Sequence, residues 1–142
     1  MMVLRRLWLW LVILLSLGIV ICHFVQQLHC HCVFSNAVGL AETGEVECFT
    51  SQRKMHVMIT AQDRKRIIAC AERMKISNIE HKSVGLGRIQ LRCGNGEEVY
   101  ILLLTKPLVQ CEVRTDFEKV RFQAVGQELY ECLLDIINDK TG

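Results

Sequence analysis

The sequence lacks the motifs that point to catalysis. It contains no G-x-S-x-G, HExxH or P-loop pattern, each of which places reactive groups at a fixed spacing. Gly85-Leu86-Gly87 is too short for a dinucleotide fingerprint, and it precedes a predicted strand, whereas that fingerprint opens a helix. We therefore expect a protein that is not an enzyme and that uses no cofactor.

The sequence also has little net charge. It carries 17 Lys and Arg residues against 15 Asp and Glu residues, a net charge of +2. Two of the basic residues, Arg5 and Arg6, lie in an N-terminal segment that we expect to be removed, which leaves a neutral chain. A neutral chain lacks the positive surface that nucleic acid needs. Apolar residues form 51% of the sequence, which is too many for a disordered tail.

Residues 1–22 have the pattern of a secretory signal peptide. Arg5 and Arg6 precede an apolar run from Leu7 to Ile21, as in the charged and apolar regions of such peptides. The run is shorter than the roughly 20 residues of a membrane-spanning helix, so the pattern favours a cleaved signal over an uncleaved anchor. In either case, residues 23–142 are expected to enter the secretory lumen as a single domain.

Cysteine is frequent, and secretion makes disulphides its expected chemistry. Without the signal segment, seven cysteines remain: Cys30, Cys32, Cys48, Cys70, Cys93, Cys111 and Cys132. Because seven is odd, one of them would be unpaired or would bond to another chain. Cleavage before Cys22 would instead leave eight, which could all pair within the chain.

The alternating run His29-Cys30-His31-Cys32 raises the question of a metal site. Structural zinc sites usually separate their paired ligands by two or more residues. Adjacent side chains on an extended segment also point to opposite sides. We therefore expect no metal site at this run.

Short strands and a helix are predicted in the first half of the domain. Val46–Thr50 and Met55–Thr60 have strand length and an apolar or alternating pattern, and Gln62–Met74 has one apolar helical face. The preceding residues, about 23–45, have little periodicity and are predicted to form an irregular arm.

A hairpin around Asn95-Gly96 is the clearest local prediction. Arg88–Cys93 alternates apolar and polar residues, and Val99–Leu104 is a continuous apolar run. Asn-Gly between two strands is the strongest short hairpin pattern, because both central residues of such a turn need positive φ.

The last predicted element is a helix that begins at a capping box, Thr115-Asp116-Phe117-Glu118. Apolar residues recur at helical spacing from Phe117 to Ile136, with Gly126 near the middle. This apolar face either packs against the hairpin or faces a partner chain. The predicted fold is α+β: a small disulphide-linked domain with a short antiparallel sheet and one or two packed helices, completed by a partner chain.

The spacing from Cys70 to Cys93 ends in the run Arg92-Cys93-Gly94-Asn95-Gly96, and an apolar strand and a helix follow it. Cys30 and Cys32 lie soon after the signal segment. This order resembles glycoprotein L of gammaherpesviruses from Cys70 to about Ile136, and the segment before Cys70 matches only in outline. The chain departs from the family in that His31 separates the two N-terminal cysteines, which are usually adjacent.

The resemblance implies a small subunit without a membrane anchor of its own. Such a subunit binds the N-terminal region of glycoprotein H and is needed for the folding and transport of that partner. The heterodimer lies on the virion envelope and on the infected-cell surface, where it takes part in receptor binding and regulates membrane fusion by glycoprotein B.

The resemblance also implies two disulphides, Cys30–Cys70 and Cys32–Cys93. Cys111 and Cys132 could form a third, which would leave Cys48 unpaired or bonded to a partner. The apolar strand Val99–Leu104 would have an exposed edge or face unless a partner covered it. The expected partner-binding residues are Val33, Phe34, Val99, Ile101 and Leu103.

A secreted C-x-C chemokine, or a viral mimic of one, is the alternative. Cys30-His31-Cys32, followed by Cys48, Cys70, strands and a C-terminal helix, also resembles that family. Chemokines are usually shorter and strongly basic, and they have fewer cysteines. A chemokine would act alone on cells, whereas a glycoprotein L would depend on its large partner.

Overall fold

A computed structural model describes residues 1–77 and 79–141 of the chain. Within these residues, short strands with alternating burial are interspersed with three helices. In chain order the elements are α1 (Met2–Gly39), β1 (Ala41–Cys48), β2 (Arg53–Met58), α2 (Ala61–Ala71), β3 (Lys75–Ser77), β4 (Gly87–Cys93), β5 (Glu98–Leu103), β6 (Leu108–Arg114), β7 (Lys119–Val125) and α3 (Gln127–Thr141).

The seven described strands form one antiparallel sheet in the order β2-β1-β4-β5-β6-β7-β3. From β4 to β7, each strand pairs with the next in sequence, as short turns between antiparallel strands allow. Longer connections bring β1 against β4 and β3 against β7. The predicted α+β class is confirmed, and the sheet is wider than the short one that the sequence predicted.

The sheet has a covered face and an open face. Along β4, Ile89 and Leu91 are fully buried, whereas Arg88 and Gln90 are partly exposed, because successive strand side chains point to opposite faces. Helices α1 and α3 pack on the covered face, and α2 packs against both of them. The hydrophobic core therefore lies between one face of the sheet and the helices.

The predicted helix at Gln62–Met74 is observed as α2, Ala61–Ala71. It begins with a capping box: the Thr60 hydroxyl accepts a hydrogen bond from the amide of Asp63 at 3.1 Å, and the Asp63 carboxylate accepts one from the amide of Thr60 at 3.2 Å. These two bonds satisfy amide groups that have no partner within the helix.

The predicted hairpin is observed as β4 and β5, paired from Gly87↔Leu103 to Arg92↔Glu98. Its turn differs from the predicted one. Only Gly96 has a positive φ, of 86°, and its amide donates to the Cys93 carbonyl at 3.1 Å. Gly94 and Asn95 are thus the central residues of the turn, and Gly96 supplies the left-handed residue that returns the chain to β5.

The prediction of a helix that begins at Thr115 is wrong for the first half of that helix. Residues 119–125 form β7, which pairs with β6 from Leu108↔Val125 to Arg114↔Lys119. The Thr115 hydroxyl does accept the amide of Glu118, at 3.0 Å, but this bond closes the β6–β7 turn. The same hydrogen bond from Glu118 to Thr115 would form in a helix cap and in this turn. The pairing of β7 with β6 decides in favour of the turn. Gly126 precedes α3, whose first turn includes the bond from the Tyr130 amide to the Gly126 carbonyl.

Two other predictions are corrected. The arm at 23–45 is not irregular: α1 continues to Gly39 and β1 begins at Ala41, because Phe34 and Val38, one helical turn apart, are both buried in the core. The apolar strand Val99–Leu104 has no exposed edge, since β5 is the central strand of the sheet.

Candidate functional site

Helix α1 has two parts with opposite surroundings. In its N-terminal part the apolar side chains are exposed, among them Trp8, Trp10 and Ile19, at 63%, 64% and 70%. Among the described residues, this is the one helix that is long and apolar enough to cross a membrane, a test that a signal sequence also passes. The C-terminal part packs in the core, where the rings of Phe34 and Phe122 meet edge-on with centroids 6.2 Å apart.

None of the described helices covers the open face of the sheet. We define it by the side chains that point away from the helices on strands β1 and β4 to β7: Glu45, Glu47, Arg88, Gln90, Arg92, Glu98, Tyr100, Leu102, Gln110, Glu112, Arg114, Lys119, Arg121 and Gln123. Apart from Leu102, these residues are polar or charged, and apart from buried Gln123 they are at least partly exposed, as expected for the solvent-facing half of the strand alternation.

Ion pairs between neighbouring strands hold the charges of the open face in place. The Arg88 guanidinium on β4 lies 2.6 Å from the Glu47 carboxylate on β1, and the Lys54 ammonium on β2 lies 2.7 Å from Glu45. Opposite charges on directly adjacent strands stabilise a sheet modestly. Their larger consequence here is an ordered pattern of charge on this side of the sheet.

Tyr100 lies near the centre of the open face. Its hydroxyl donates to the Glu98 carboxylate at 2.5 Å and accepts from the Gln90 amide at 3.3 Å. The guanidinium carbon of Arg114 lies 4.5 Å from the ring centroid, a cation–π contact. The hydrogen bond to Glu98 raises the pKa of the Tyr100 phenol. The ring is therefore fixed in position and uncharged at neutral pH.

Glu112, across from Tyr100 on β6, is held by two cations. Arg114 lies 2.9 Å away and Lys119 lies 3.2 Å away. Burial raises the pKa of the Glu112 carboxyl, but the hydrogen bonds from Lys119 and Arg114 outweigh it, so that its pKa is lowered overall. Glu112 is thus an ionised acceptor in a partly desolvated setting.

A shallow depression of about 220 Å³ interrupts this charged surface beside Tyr100. Phe49 and Leu102 contribute its apolar lining, and Arg88 and Gln110 form part of its polar rim. Gly85 lies directly against it: a Cβ at this position would come within 2.9 Å of the Phe49 ring and 3.1 Å of Leu102. The missing side chain lets the loop before β4 pack closely against Phe49 and Leu102, and this packing leaves Leu102 only partly exposed.

The predicted partner-binding residues do not contribute to this surface. Phe34, Val99, Ile101 and Leu103 are fully buried in the chain's own core, and Val33 packs against the same core. They lie between the helices and the sheet, so a partner could contact them only if the domain opened.

All eight cysteines are free thiols in the structure. Their positions are as follows: Cys22, Cys30 and Cys32 on α1, Cys48 at the end of β1, Cys70 on α2, Cys93 on β4, Cys111 on β6 and Cys132 on α3. Cys30, Cys93, Cys111 and Cys132 are buried, Cys48 and Cys70 are partly exposed, and Cys22 and Cys32 are exposed.

The contacts among the thiols differ from the pairs that the resemblance implied. Burial raises the pKa of Cys132 and of Cys111, and a neighbouring thiol adds to the shift in each case, Cys70 for Cys132 and Cys30 for Cys111. The Cys93 thiol donates to the Ala37 carbonyl at 3.0 Å, and burial and the nearby Glu97 carboxylate raise its pKa to about 11. The raised pKa makes Cys93 a poor nucleophile, because the thiolate is the reactive form.

The His29-Cys30-His31-Cys32 run is helical, which directs its side chains around the helix. The His29 imidazole lies 3.6 Å from the Glu118 carboxylate, and the Asn36 amide donates to the Cys32 sulphur at 3.5 Å. In the described part of the chain, no group of three or more His, Cys, Asp or Glu side chains is arranged to hold a metal ion.

Sequence reasoning missed the residues that form the open face around Tyr100. The alternation of Val99, Ile101 and Leu103 with Tyr100 and Leu102 indicates that two faces exist. It does not indicate that Phe49, from a distant turn, would join Leu102.

No family model, no curated protein and no solved structure matches this chain.

Proposed function

We propose that the chain is a non-catalytic subunit of a viral envelope complex, of the glycoprotein L type, and that its open face binds glycoprotein H of the same virus. In this role it supports the folding and transport of its partner. It also contributes to receptor binding, to the regulation of fusion by glycoprotein B and so to virus entry. The complex lies on the virion envelope and the infected-cell surface.

The observation that carries this proposal is the arrangement of the open face. Protein–protein interfaces typically combine an apolar and aromatic centre with a polar rim. Tyr100, Leu102 and Phe49 form such a centre, and the ion pairs around Arg88 and Glu112 form such a rim. Ordered charges of both signs favour a specific partner over non-specific association.

The N-terminal part of α1 supports the proposed location. Its apolar residues suit a membrane or a translocation channel and have no partner in the domain. The domain uses α1 only from Cys30 onward in its core. Removal of residues 1–22 would therefore leave the core contacts of α1 in place, and retention would tether the domain to the membrane.

The fold does not favour the chemokine alternative. Chemokines have three strands and a single packed helix, whereas the described residues form seven strands and three helices. Strands β6, β7 and β3 extend the sheet beyond the β4–β5 hairpin on one side, and β1 and β2 extend it on the other.

Co-expression with glycoprotein H from the same virus tests the proposal. We expect the two chains to co-purify, and we expect glycoprotein H to reach the cell surface only when this chain is present. Surface delivery of glycoprotein H that is the same with and without this chain would contradict the proposed role.

A matched pair of variants tests the binding surface. Leu102→Asp places a charge at the centre of the open face and should reduce co-purification at least tenfold. Phe117→Asp makes the same kind of change at the 98%-exposed tip of the β6–β7 turn and should have little effect. If Phe117→Asp abolished binding and Leu102→Asp did not, the open face would not be the binding surface.

A further inference from the structure

We propose that Cys70 and Cys132 form a disulphide that joins α2 to α3. This inference rests on the proposed function only in that the domain must reach an oxidising compartment. It replaces the Cys30–Cys70 and Cys111–Cys132 pairs that the resemblance and the sequence suggested. The argument depends on the register of two helices and not on any sequence motif.

Three ion pairs fix that register. Each pair joins a residue of α2, or of the turn that follows it, to a residue of α3. From one pair to the next, the residue number increases along α2 and decreases along α3. The two helices are therefore antiparallel. The pairs are Asp63–Lys140 at 3.3 Å, Arg66–Asp135 at 3.8 Å and Arg73–Glu128 at 2.6 Å.

Cys70 and Cys132 occupy the position between the last two pairs. Cys70 lies one turn after Arg66 on α2, and Cys132 lies about one turn before Asp135 on α3. Residues one turn apart share a helix face, so both cysteines lie on the faces where α2 and α3 meet. Consistent with this register, Cys70 adds to burial in raising the pKa of the Cys132 thiol. Cys132 is only 4% exposed, so thiols outside the contact between α2 and α3 cannot reach it.

Because Cys70 is more exposed than Cys132, we expect Cys70 to react first with an external oxidant. Cys70 is partly exposed, so an external disulphide such as oxidised glutathione can reach it. The Cys70 thiol loses its proton and attacks, which forms a mixed disulphide and releases one glutathione thiolate. Cys132 then loses its proton and displaces the second glutathione. Two protein thiols and one glutathione disulphide thus yield one protein disulphide and two glutathione thiols.

The other close pair, Cys30 and Cys111, lacks such a route. Both are buried, and Cys111 is fully enclosed beneath the helices. An oxidant could not reach either thiol in the folded domain. Of these two pairs, the α2–α3 pair is therefore the one that an external oxidant can reach.

Peptide mapping of the purified full chain in detergent tests the inference. The chain is reduced, reoxidised with oxidised glutathione, alkylated and digested with trypsin without reductant. Cys70 lies in peptide 67–73 and Cys132 in peptide 122–140, and neither peptide contains another cysteine. We expect these two peptides to be linked. The inference is overturned if both are alkylated, if 67–73 is linked to the peptide that ends at Arg53, or if 122–140 is linked to 93–114.

Two variants provide the control. Cys70→Ser should remove the linked peptide and leave Cys132 alkylated, whereas Cys48→Ser should leave the link intact. If Cys70→Ser does not fold, reductant added to the wild-type chain should still lower its melting temperature, by roughly 10 °C. Because this mapping uses the isolated chain, failure to co-purify with glycoprotein H would count against the proposed function and leave this inference standing.

Discussion

The covered and open faces of the sheet are built from the same strands but do different work. On β5, Ile101 is fully buried beneath the helices, while its neighbours Tyr100 and Leu102 face outward among ordered charges. The covered face excludes water and supplies most of the stability. The open face is then free to carry a binding surface. The two roles can therefore be separated by substitutions at adjacent positions.

The largest expected effect is at the ring that attaches α1 to the covered face. Phe34→Ala should lower the free energy of unfolding by about 3–5 kcal/mol, because it leaves a cavity next to Phe122. Phe117→Ala, at an exposed turn, should change it by less than about 0.5 kcal/mol. Urea denaturation measures both. Equal effects would mean that α1 is not part of the core.

The next effect compares neighbours within one strand. Ile101→Ala should lower the free energy of unfolding by about 2–4 kcal/mol, as is usual for a buried aliphatic side chain. Leu102→Ala, on the open face, should cost less than about 1 kcal/mol and should weaken partner binding instead. A stable Ile101→Ala variant with impaired binding would reverse our assignment of the two faces.

A smaller effect compares two tyrosine hydroxyls. The Tyr130 hydroxyl is buried and donates to the Leu104 carbonyl at 2.8 Å, so Tyr130→Phe should cost about 1–2 kcal/mol by leaving that carbonyl unsatisfied. Tyr100→Phe should cost less than about 0.5 kcal/mol, since water can replace its bonds. Thermal unfolding of the two variants tests the difference.

The smallest effect depends on pH. The pKa of Glu112 is lowered in the folded chain, so its ionised form contributes stability that is present above its unfolded pKa and is lost as pH falls through the folded value. Glu112→Gln should therefore cost up to about 1 kcal/mol at pH 7 and nearly nothing well below about pH 4. A difference between wild type and variant that stayed unchanged as the pH fell from 7 to about 2 would argue against an ion-pair role.

Local pattern predicted the elements whose identity depends on near neighbours. The hairpin of β4 and β5 and the helix at residues 61–71 follow from alternation, turn residues and apolar spacing within a dozen residues. β7 was missed because Thr115 and Glu118 make the same bond in a helix cap and in a tight turn. Pairing with β6 selects the turn, and the local pattern that indicates β7 is the alternation of Lys119, Arg121 and Gln123 with Val120, Phe122 and Ala124.

The candidate site was less predictable than the fold. The strand alternation separates Tyr100 from Ile101, but the place of β5 at the centre of the sheet, and the approach of Phe49 to Leu102, come from distant segments. For the same reason Val99, Ile101 and Leu103 were expected to bind a partner. Their apolar character is visible in the sequence, and the chain's own helices cover them.

By itself, the sequence determined the α+β class, the apolar N-terminal segment and the division of β4 into an apolar and a polar side, because these depend on the order of neighbouring residues. The tertiary structure decided that the chain's own helices, and not a partner, cover the apolar side of the sheet. It also decided how α1 continues into the core and which cysteines lie near each other. Cys70 and Cys132 are brought together by the antiparallel register of α2 and α3. That register is set by contacts between residues more than 50 positions apart, and such contacts leave no periodic trace in the chain.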